Sequence, residues 1–334
     1  MPERAHTPIH VAAGVLIEQG RVCVTRRRPD APQGGKWEFP GGKLEPGETP
    51  LAGLRRELHE ELGIEVEQAR PLVKLVHRYP DVEVLLDVWT VTRYRGTPHG
   101  REAQPLDWVA LEALDPRDFP EADRPVLRRL QLPPLYAVSD AARLGLDEFA
   151  RRLARALEAG VRLVQLREPH LPRADFCRYA RRLAALCRAA GARLLVNADP
   201  SWVAECDADG VHLSARRLMA ATGRPLGLDR LVAASCHDAA ELTRMQSLNL
   251  DFAVLGPVQP TASHPGAATL GWTRFAQLSG ATPAPVYAIG GLRPADVARA
   301  RAAGAQGVAM IRGLWDAADP GAAVREALAA ACSG

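Results

Sequence analysis

The chain has almost no lysine: Lys36, Lys43 and Lys74 are the only three in 334 residues, and beyond residue 74 positive charge comes from arginine. Schiff-base chemistry is thereby excluded from the second half, because it needs a lysine amine. Cysteine is sparse and dispersed. Cys23, Cys177, Cys187, Cys206, Cys236 and Cys332 form no C-x-x-C pair, which argues against a zinc knuckle or a disulfide framework and leaves buried or idle thiols. Charge of one sign is also missing, since 42 Lys and Arg stand against 39 Asp and Glu for a net of +3 without a basic run. Duplex nucleic acid and a membrane surface are therefore not expected as partners, and a small anionic substrate suffices. No stretch approaches the roughly 20 apolar residues of a membrane span. The opening MPERAHTPIHVAAG has no long apolar core of a signal peptide, so a cytoplasmic protein is expected.

A length of 334 residues suggests two folded units, each with its own core. A helical pattern ends in the Pro133-Pro134 step, a signal for a boundary. The expected division is a first domain over 1–131, a proline-containing linker over 132–134 and a second domain over 135–334. Before the boundary, short alternating strands over 10–17, 21–25 and 82–91 surround one helix, an α+β arrangement with a mixed sheet. After it, eight apolar runs alternate with helical patterns, over 135–138, 162–166, 193–196, 210–213, 231–234, 252–255, 286–289 and 307–311. Eight such units in about 200 residues match a small (β/α)8 TIM barrel. Helices over 147–159, 173–190 and 294–303 belong to its outer ring, the last with proline in its first turn.

The densest chemical signal lies in the run GGKLEPGETPLAGLRRELHEELGI. Gly42, Glu48, Arg56, Glu57, Leu58, Glu60, Glu61, Gly63 and Ile64 stand there in the pattern G-x5-E-x7-R-E-(aliphatic)-x-E-E-x-G-(aliphatic). Leu51, Leu54, Leu58 and Leu62 recur at steps of three and four, which makes one buried helical stripe. Glu57, Glu60 and Glu61 then share another face, where carboxylates three and four apart repel one another unless a cation neutralises them. Oxygen ligands of this kind suit Mg²⁺ or Mn²⁺ together with phosphate oxygens. Gly41 and Gly42 permit close backbone approach, and Thr49 is the expected N-cap.

That run is the Nudix signature, and the first half resembles the MutT-type branch of the Nudix hydrolases along nearly its whole length, through TRRRPDA, KWEFPGGKLEPGET, REAQPLDWV and DFPEADRPVLRRL. The resemblance implies hydrolysis of nucleoside triphosphates to monophosphate and pyrophosphate, and in the best known case removal of 8-oxo-dGTP from the nucleotide pool, a DNA-repair role. It implies metal ligands at the Gly41 carbonyl, Glu57, Glu60 and Glu61, with Glu102 as a further ligand or the base. Attack by water needs a carboxylate to take its proton, and both Glu57 and Glu102 are candidates. Arg56 is expected to orient a glutamate through its planar fork, and Lys43 or Arg27 to meet phosphate, with a solvated surface equally open for Arg27. Phe39 and Trp37 would wall the base or fill the core. At Asp123 the 8-oxoguanine-reading member has asparagine; an ionised aspartate only accepts hydrogen bonds, unless burial protonates it.

Residues 135–334 resemble thiamine-phosphate synthase and its relative TenI, a thiazole tautomerase, through GVRLVQLRE, LLVNADP, ADGVHLS, AASCHDAAEL, LGPVQPTASHPGA and YAIGGLRPADV. Strand C-terminal ends build the site of such a barrel, and Gln165, Arg167, Asn197, His212, Ser235, His237, Gly290 and Gly291 fall there. Gly290-Gly291 and Arg312-Gly313 are the expected phosphate grip. The synthases hold Mg²⁺ with two aspartates, and this chain has Ala198 and Arg217 in those places; the expected lysines are Pro169 and His264. No synthase turnover is expected. His237 is a candidate proton shuttle for tautomerisation or a plain strand-end histidine, and Asp199 a candidate substitute ligand. The readings are a pyrophosphohydrolase joined to a barrel that binds thiazole or thiamine phosphate, a bifunctional thiamine-pathway enzyme, or a hydrolase with a sensing or homodimerising barrel.

Overall fold

The computed structural model describes residues 8–101, 104–261, 266 and 268–332, and it divides into two compact units, residues 1–131 and 132–334.

The first unit is built on a seven-stranded mixed sheet. Its strands are β1 (Ile9–Glu18), β2 (Arg21–Arg26), β3 (Trp37–Glu38), β4 (Gly41–Lys43), β5 (Glu65–Arg78), β6 (Glu83–Arg95) and β7 (Leu106–Ala110). Central β1 runs parallel to β6 and antiparallel to β2 and β4. The long β5 was not legible as a strand because its alternation is broken. Pro71 lies inside it, and the register against β6 slips between Val66 and Gln68, between Gln68 and Ala69, and between Pro71 and Val73. Proline has no N–H for the ladder, so its presence in a strand goes with such irregularity.

Helix α1 (Pro50–Leu62) forms where its signals put it. The Thr49 hydroxyl accepts from Ala52 N–H at 3.3 Å, Pro50 opens the first turn, and Gly63 closes the helix with φ of 69°, a conformation that favours glycine. Leu54, Leu58 and Leu62 are fully buried against the sheet. The close fit is visible at Gly14 of β1, where a Cβ would stand 2.8 Å from Leu58 Cδ1. Helix α2 (Arg124–Gln131) ends the unit.

The second unit is a closed barrel of eight parallel strands, β8 (Leu135–Val138), β9 (Leu163–Leu166), β10 (Arg193–Val196), β11 (Gly210–Leu213), β12 (Leu231–Cys236), β13 (Phe252–Leu255), β14 (Val286–Ala288) and β15 (Gly307–Met310). All begin and end within two residues of the expected runs. Around them lie α3 (Ala141–Leu144), α4 (Leu146–Glu158), α5 (Arg173–Ala189), α6 (Ala215–Ala220), α7 (Ala239–Ser247), α8 (Gly271–Gly280), α9 (Val297–Ala302), α10 (Arg312–Trp315) and α11 (Pro320–Cys332). The helix expected over 294–303 starts as a separate 3₁₀ turn at Pro294–Asp296, because the Asp296 carboxylate turns back to accept Arg293 N–H at 2.9 Å.

Strand residues alternate between an outer layer packed under the helices and an inner layer filling the barrel. Inside, the rings of Tyr136, Phe252 and Tyr287 meet at 5.3 to 5.8 Å, each pair contributing about 1 kcal/mol beyond area burial. Leu132 is 4% exposed and joins this inner cluster. Its carbonyl accepts from Gln306 Nε2 at 2.7 Å, and the Pro134 carbonyl accepts from Val308 N–H at 3.0 Å. Residues 132–134 therefore belong to the floor of the barrel. None of the described helices is long and apolar enough to cross a membrane.

Candidate functional site

In the first unit α1 and the β4 turn present one connected set of polar groups around Arg56. Its Nε and Nη2 donate to the two oxygens of Glu48 at 3.1 and 3.0 Å. Nη1 donates to Glu57 Oε1 at 2.9 Å and to Glu60 Oε2 at 3.1 Å, and Nη2 also reaches the Lys43 carbonyl at 3.0 Å. Glu48 thus shares the Arg56 fork, and its place in the signature is the one mark of this in the sequence. The bonds from Arg56 hold the Glu48 carboxyl below the usual carboxylate range. Burial pushes the Glu57 carboxyl up, and the guanidinium opposes it.

Glu61 is directed elsewhere, with Oε2 accepting Gly41 N–H at 3.0 Å. Among the described residues no three acidic, histidine or cysteine side chains close on one point as a finished metal cage. The expected ligand set is split because each carboxylate takes the nearest donor, Arg56 for Glu57 and Glu60, a backbone amide for Glu61. The donor set nonetheless fits a hard dication. It is all oxygen, two of its carboxylates already converge on a single cationic nitrogen, and a Cβ on Gly42 would stand 2.4 Å from Glu57 Oε2, so glycine is what leaves the carboxylate its place. Gly41 has φ of 145°, and a Cβ there would meet the Ala12 carbonyl at 2.2 Å. Glu102 lies outside the described residues.

The expected base-side residues form a second group. Arg27 is taken by the Glu38 carboxylate, and its Nε donates to the Pro32 carbonyl at 3.0 Å, so it is an ion-paired residue rather than a free phosphate contact. Strands β2 and β3 bring the pair together, with Thr25 opposite Glu38. Asp123 is 7% exposed. Burial, reinforced by the Glu38 charge and opposed by Arg27, pushes its carboxyl up to about 7. Phe39 is a core residue, 3% exposed with its ring 5.9 Å from Phe119. Trp37 is half-buried beneath Arg26, whose guanidinium lies 5.6 Å from the ring centre. The Lys43 side chain is exposed and meets no partner among the described residues.

In the barrel a cavity of about 1050 Å³ opens at the C-terminal ends of the strands. Its lining includes Gln165, Arg167, Asn197, His212, Ser235, His237, Gly290, Gly291, Arg312 and Gly313. A hydrogen-bonded chain runs through its floor. Gln165 Nε2 donates to the Tyr136 hydroxyl at 3.1 Å, that hydroxyl meets His212 Nδ1 at 3.3 Å, and His212 Nε2 meets Ser235 Oγ at 2.9 Å. Burial and the nearby Arg167 push His212 down to about 3, so the imidazole is neutral. His237 sits at the rim with Nδ1 2.9 Å from Glu241 Oε2, which orients its ring and frees Nε2.

Ala198 is buried. Asp199 accepts from Ser201 N–H at 3.0 Å and Ser201 Oγ at 2.7 Å and lines, with Arg217, a small cavity separate from the barrel mouth. His264 lies outside the described residues. Glu168 has a role that no motif marks. This carboxylate, 1% exposed, accepts from Ser139 Oγ at 2.6 Å, Ala141 N–H at 2.8 Å and Ala142 N–H at 2.9 Å, and so ties the first loop of the barrel rim to the end of β9. Glu168→Ala strands those donors, and we expect a loss of about 3 kcal/mol, read as a lower urea midpoint for the barrel transition. An unchanged midpoint would show that the loop holds itself.

Two family models match the chain, thiamine monophosphate synthase over residues 135–314 and the NUDIX domain over residues 8–130. The 8-oxo-dGTP diphosphatase of Escherichia coli K12 is 41% identical over 124 residues, spanning 37% of this chain and 96% of that protein. The thiamine-phosphate synthase of Chromobacterium violaceum is 39% identical over 196 residues, 57% of this chain and 92% of the relative. The solved thiamine phosphate pyrophosphorylase from Pyrococcus furiosus has a TM-score of 0.52 at 23% identity, covering 60% of this chain and 95% of that one, a likeness of barrel fold.

Proposed function

Because this chain belongs to the thiamine monophosphate synthase family through residues 135–314 and to the Nudix hydrolases through residues 8–130, we propose that its first unit hydrolyses an oxidised purine nucleoside triphosphate, 8-oxo-dGTP, with Mg²⁺ or Mn²⁺, while its barrel binds a small phosphorylated ligand without synthase turnover. The observation that supports the hydrolase half is the Arg56 fork, which holds Glu48, Glu57 and Glu60 through one guanidinium, with Glu57 beside Gly42. Glu57, Glu60, Glu61 and the Gly41 carbonyl are the residues that would hold the ion. When bound it would neutralise phosphate oxygens and lower the pKa of water. Glu57, whose affinity for a proton burial raises, is placed to accept the proton of the attacking water, with Glu102 as the alternative base. A new bond forms from water oxygen to phosphorus, the anhydride P–O bond breaks, and monophosphate and pyrophosphate leave. Arg56 acts as a positioning residue. Asp123 reads the base: its protonated form, half populated at about pH 7, donates to O6 while accepting from N7–H.

Purified protein with Mg²⁺ is expected to release pyrophosphate from 8-oxo-dGTP, to act more slowly on dGTP and thiamine pyrophosphate, and to stop in EDTA. A preference for thiamine pyrophosphate would transfer the assignment to a thiamine-pathway enzyme. For the barrel, the absence of carboxylates at Ala198 and Arg217 supports binding without synthesis, since nothing there would stabilise a leaving pyrophosphate through a metal. Thiazole phosphate and a pyrimidine pyrophosphate should yield no thiamine phosphate. The pairing of His237 with Glu241 favours a second reading, proton transfer during thiazole tautomerisation, which loss of exchange in His237→Asn would support.

A further inference from the structure

The barrel cavity is lined by four guanidinium groups, Arg167, Arg216, Arg293 and Arg312. All four residues are exposed, and none of these side chains has a hydrogen-bond or ion-pair partner among the described residues. Two carboxylates line the same space, Asp316 and Glu326, and Asp316 is already bound by Arg143. The same space is lined by the backbone turn through Gly290 and Gly291, with φ of 104° and 66°. A Cβ at either would strike residues 257–260, at 2.6 Å for Gly290 and 2.4 Å for Gly291, so the turn presents bare backbone. A wide cavity lined by unpaired cations and bare backbone, with the expected magnesium carboxylates replaced by Ala198 and Arg217, does not fit a metal-bridged diphosphate.

We propose that the mouth of this barrel is a metal-independent site for a diphosphate group, held by arginine forks instead of a carboxylate-bound cation. A guanidinium supplies fixed charge and paired N–H donors that match phosphate oxygens, and several of them at one concave site focus the field on an anion. The inference rests on the reading of the barrel as a phosphate-ligand site and specifies its ligand class. Two sources present that chemistry: free pyrophosphate, which the first unit releases, and a diphosphate ester.

Calorimetry of the full-length chain in EDTA, which disarms any metal-dependent site in the first unit, decides the matter. Inorganic pyrophosphate, thiamine pyrophosphate and inorganic phosphate are titrated in turn. Saturable pyrophosphate binding is expected, at least tenfold tighter than phosphate, changed less than twofold by Mg²⁺, weakened by salt, and at least tenfold looser in Arg216→Ala/Arg312→Ala. Tighter binding of the ester identifies an ester ligand, and tighter binding of free pyrophosphate the released product. Binding that appears only with Mg²⁺ overturns the proposal. Phosphate binding equal to that of pyrophosphate and indifferent to the two arginines overturns it while leaving the phosphate-ligand reading in place. No binding of any of the three removes both.

Discussion

Glu57→Gln should lower the rate of pyrophosphate release from 8-oxo-dGTP by at least a hundredfold, the loss expected when a base or a metal-binding carboxylate becomes an amide. The substitution keeps the shape of the side chain, and burial already works against the charge on Glu57, so the fold should survive it. An amide can still accept from Arg56 Nη1, but it no longer offers a negative oxygen to a cation or a lone pair basic enough for a proton. Gly42→Ala is the matched test from the backbone side. Its Cβ would fall 2.4 Å from Glu57 Oε2 and push the carboxylate aside without removing it, giving a smaller loss. Undiminished turnover in Glu57→Gln, measured at saturating Mg²⁺, would take the role of base away from Glu57 and leave it to Glu102.

Asp123→Asn should change both the pH dependence of stability and that of base selection. The native carboxyl is raised from 3.8 to about 7. Between those values the folded chain keeps a proton that the unfolded chain releases, so the aspartate's contribution is most favourable below about 4, falls as pH rises to about 7, and is flat above it. At about 1.4 kcal/mol per pH unit the full difference is on the order of 4 kcal/mol. The asparagine variant should therefore be the more stable protein at pH 8 and lose that advantage near pH 4, as urea midpoints would show. In activity, kcat/KM of the native protein for 8-oxo-dGTP should decline as pH rises through 7 and the donor to O6 is lost, whereas the variant stays level. Parallel pH profiles for the two proteins would mean that this carboxyl holds no proton of consequence.

How far the sequence was readable follows the range of the interactions. Helix α1 was legible because its Thr49 cap and its leucine stripe are local signals. The barrel strands were legible because each is a short apolar run between helices. Strand β5 was not, since Pro71 and three register slips erase its period of two. Two-residue β3 is too short to have a period at all. The placement of Arg27 on Glu38 depends on cross-strand register, and the burial of Asp123 on how the end of the unit packs. Neither leaves a mark in local spacing. The role of Glu168 is hidden for a related reason: only the approach of the segment after β8 turns this carboxylate into the acceptor for three donors.

The seating of Leu132 beneath Tyr136 and Tyr287 has a bearing on how the gene can be rearranged. A cut, a tag or a longer tether placed ahead of residue 132 leaves the barrel its plug, whereas one placed two or three codons later would unstopper the cylinder and let water into its aromatic filling.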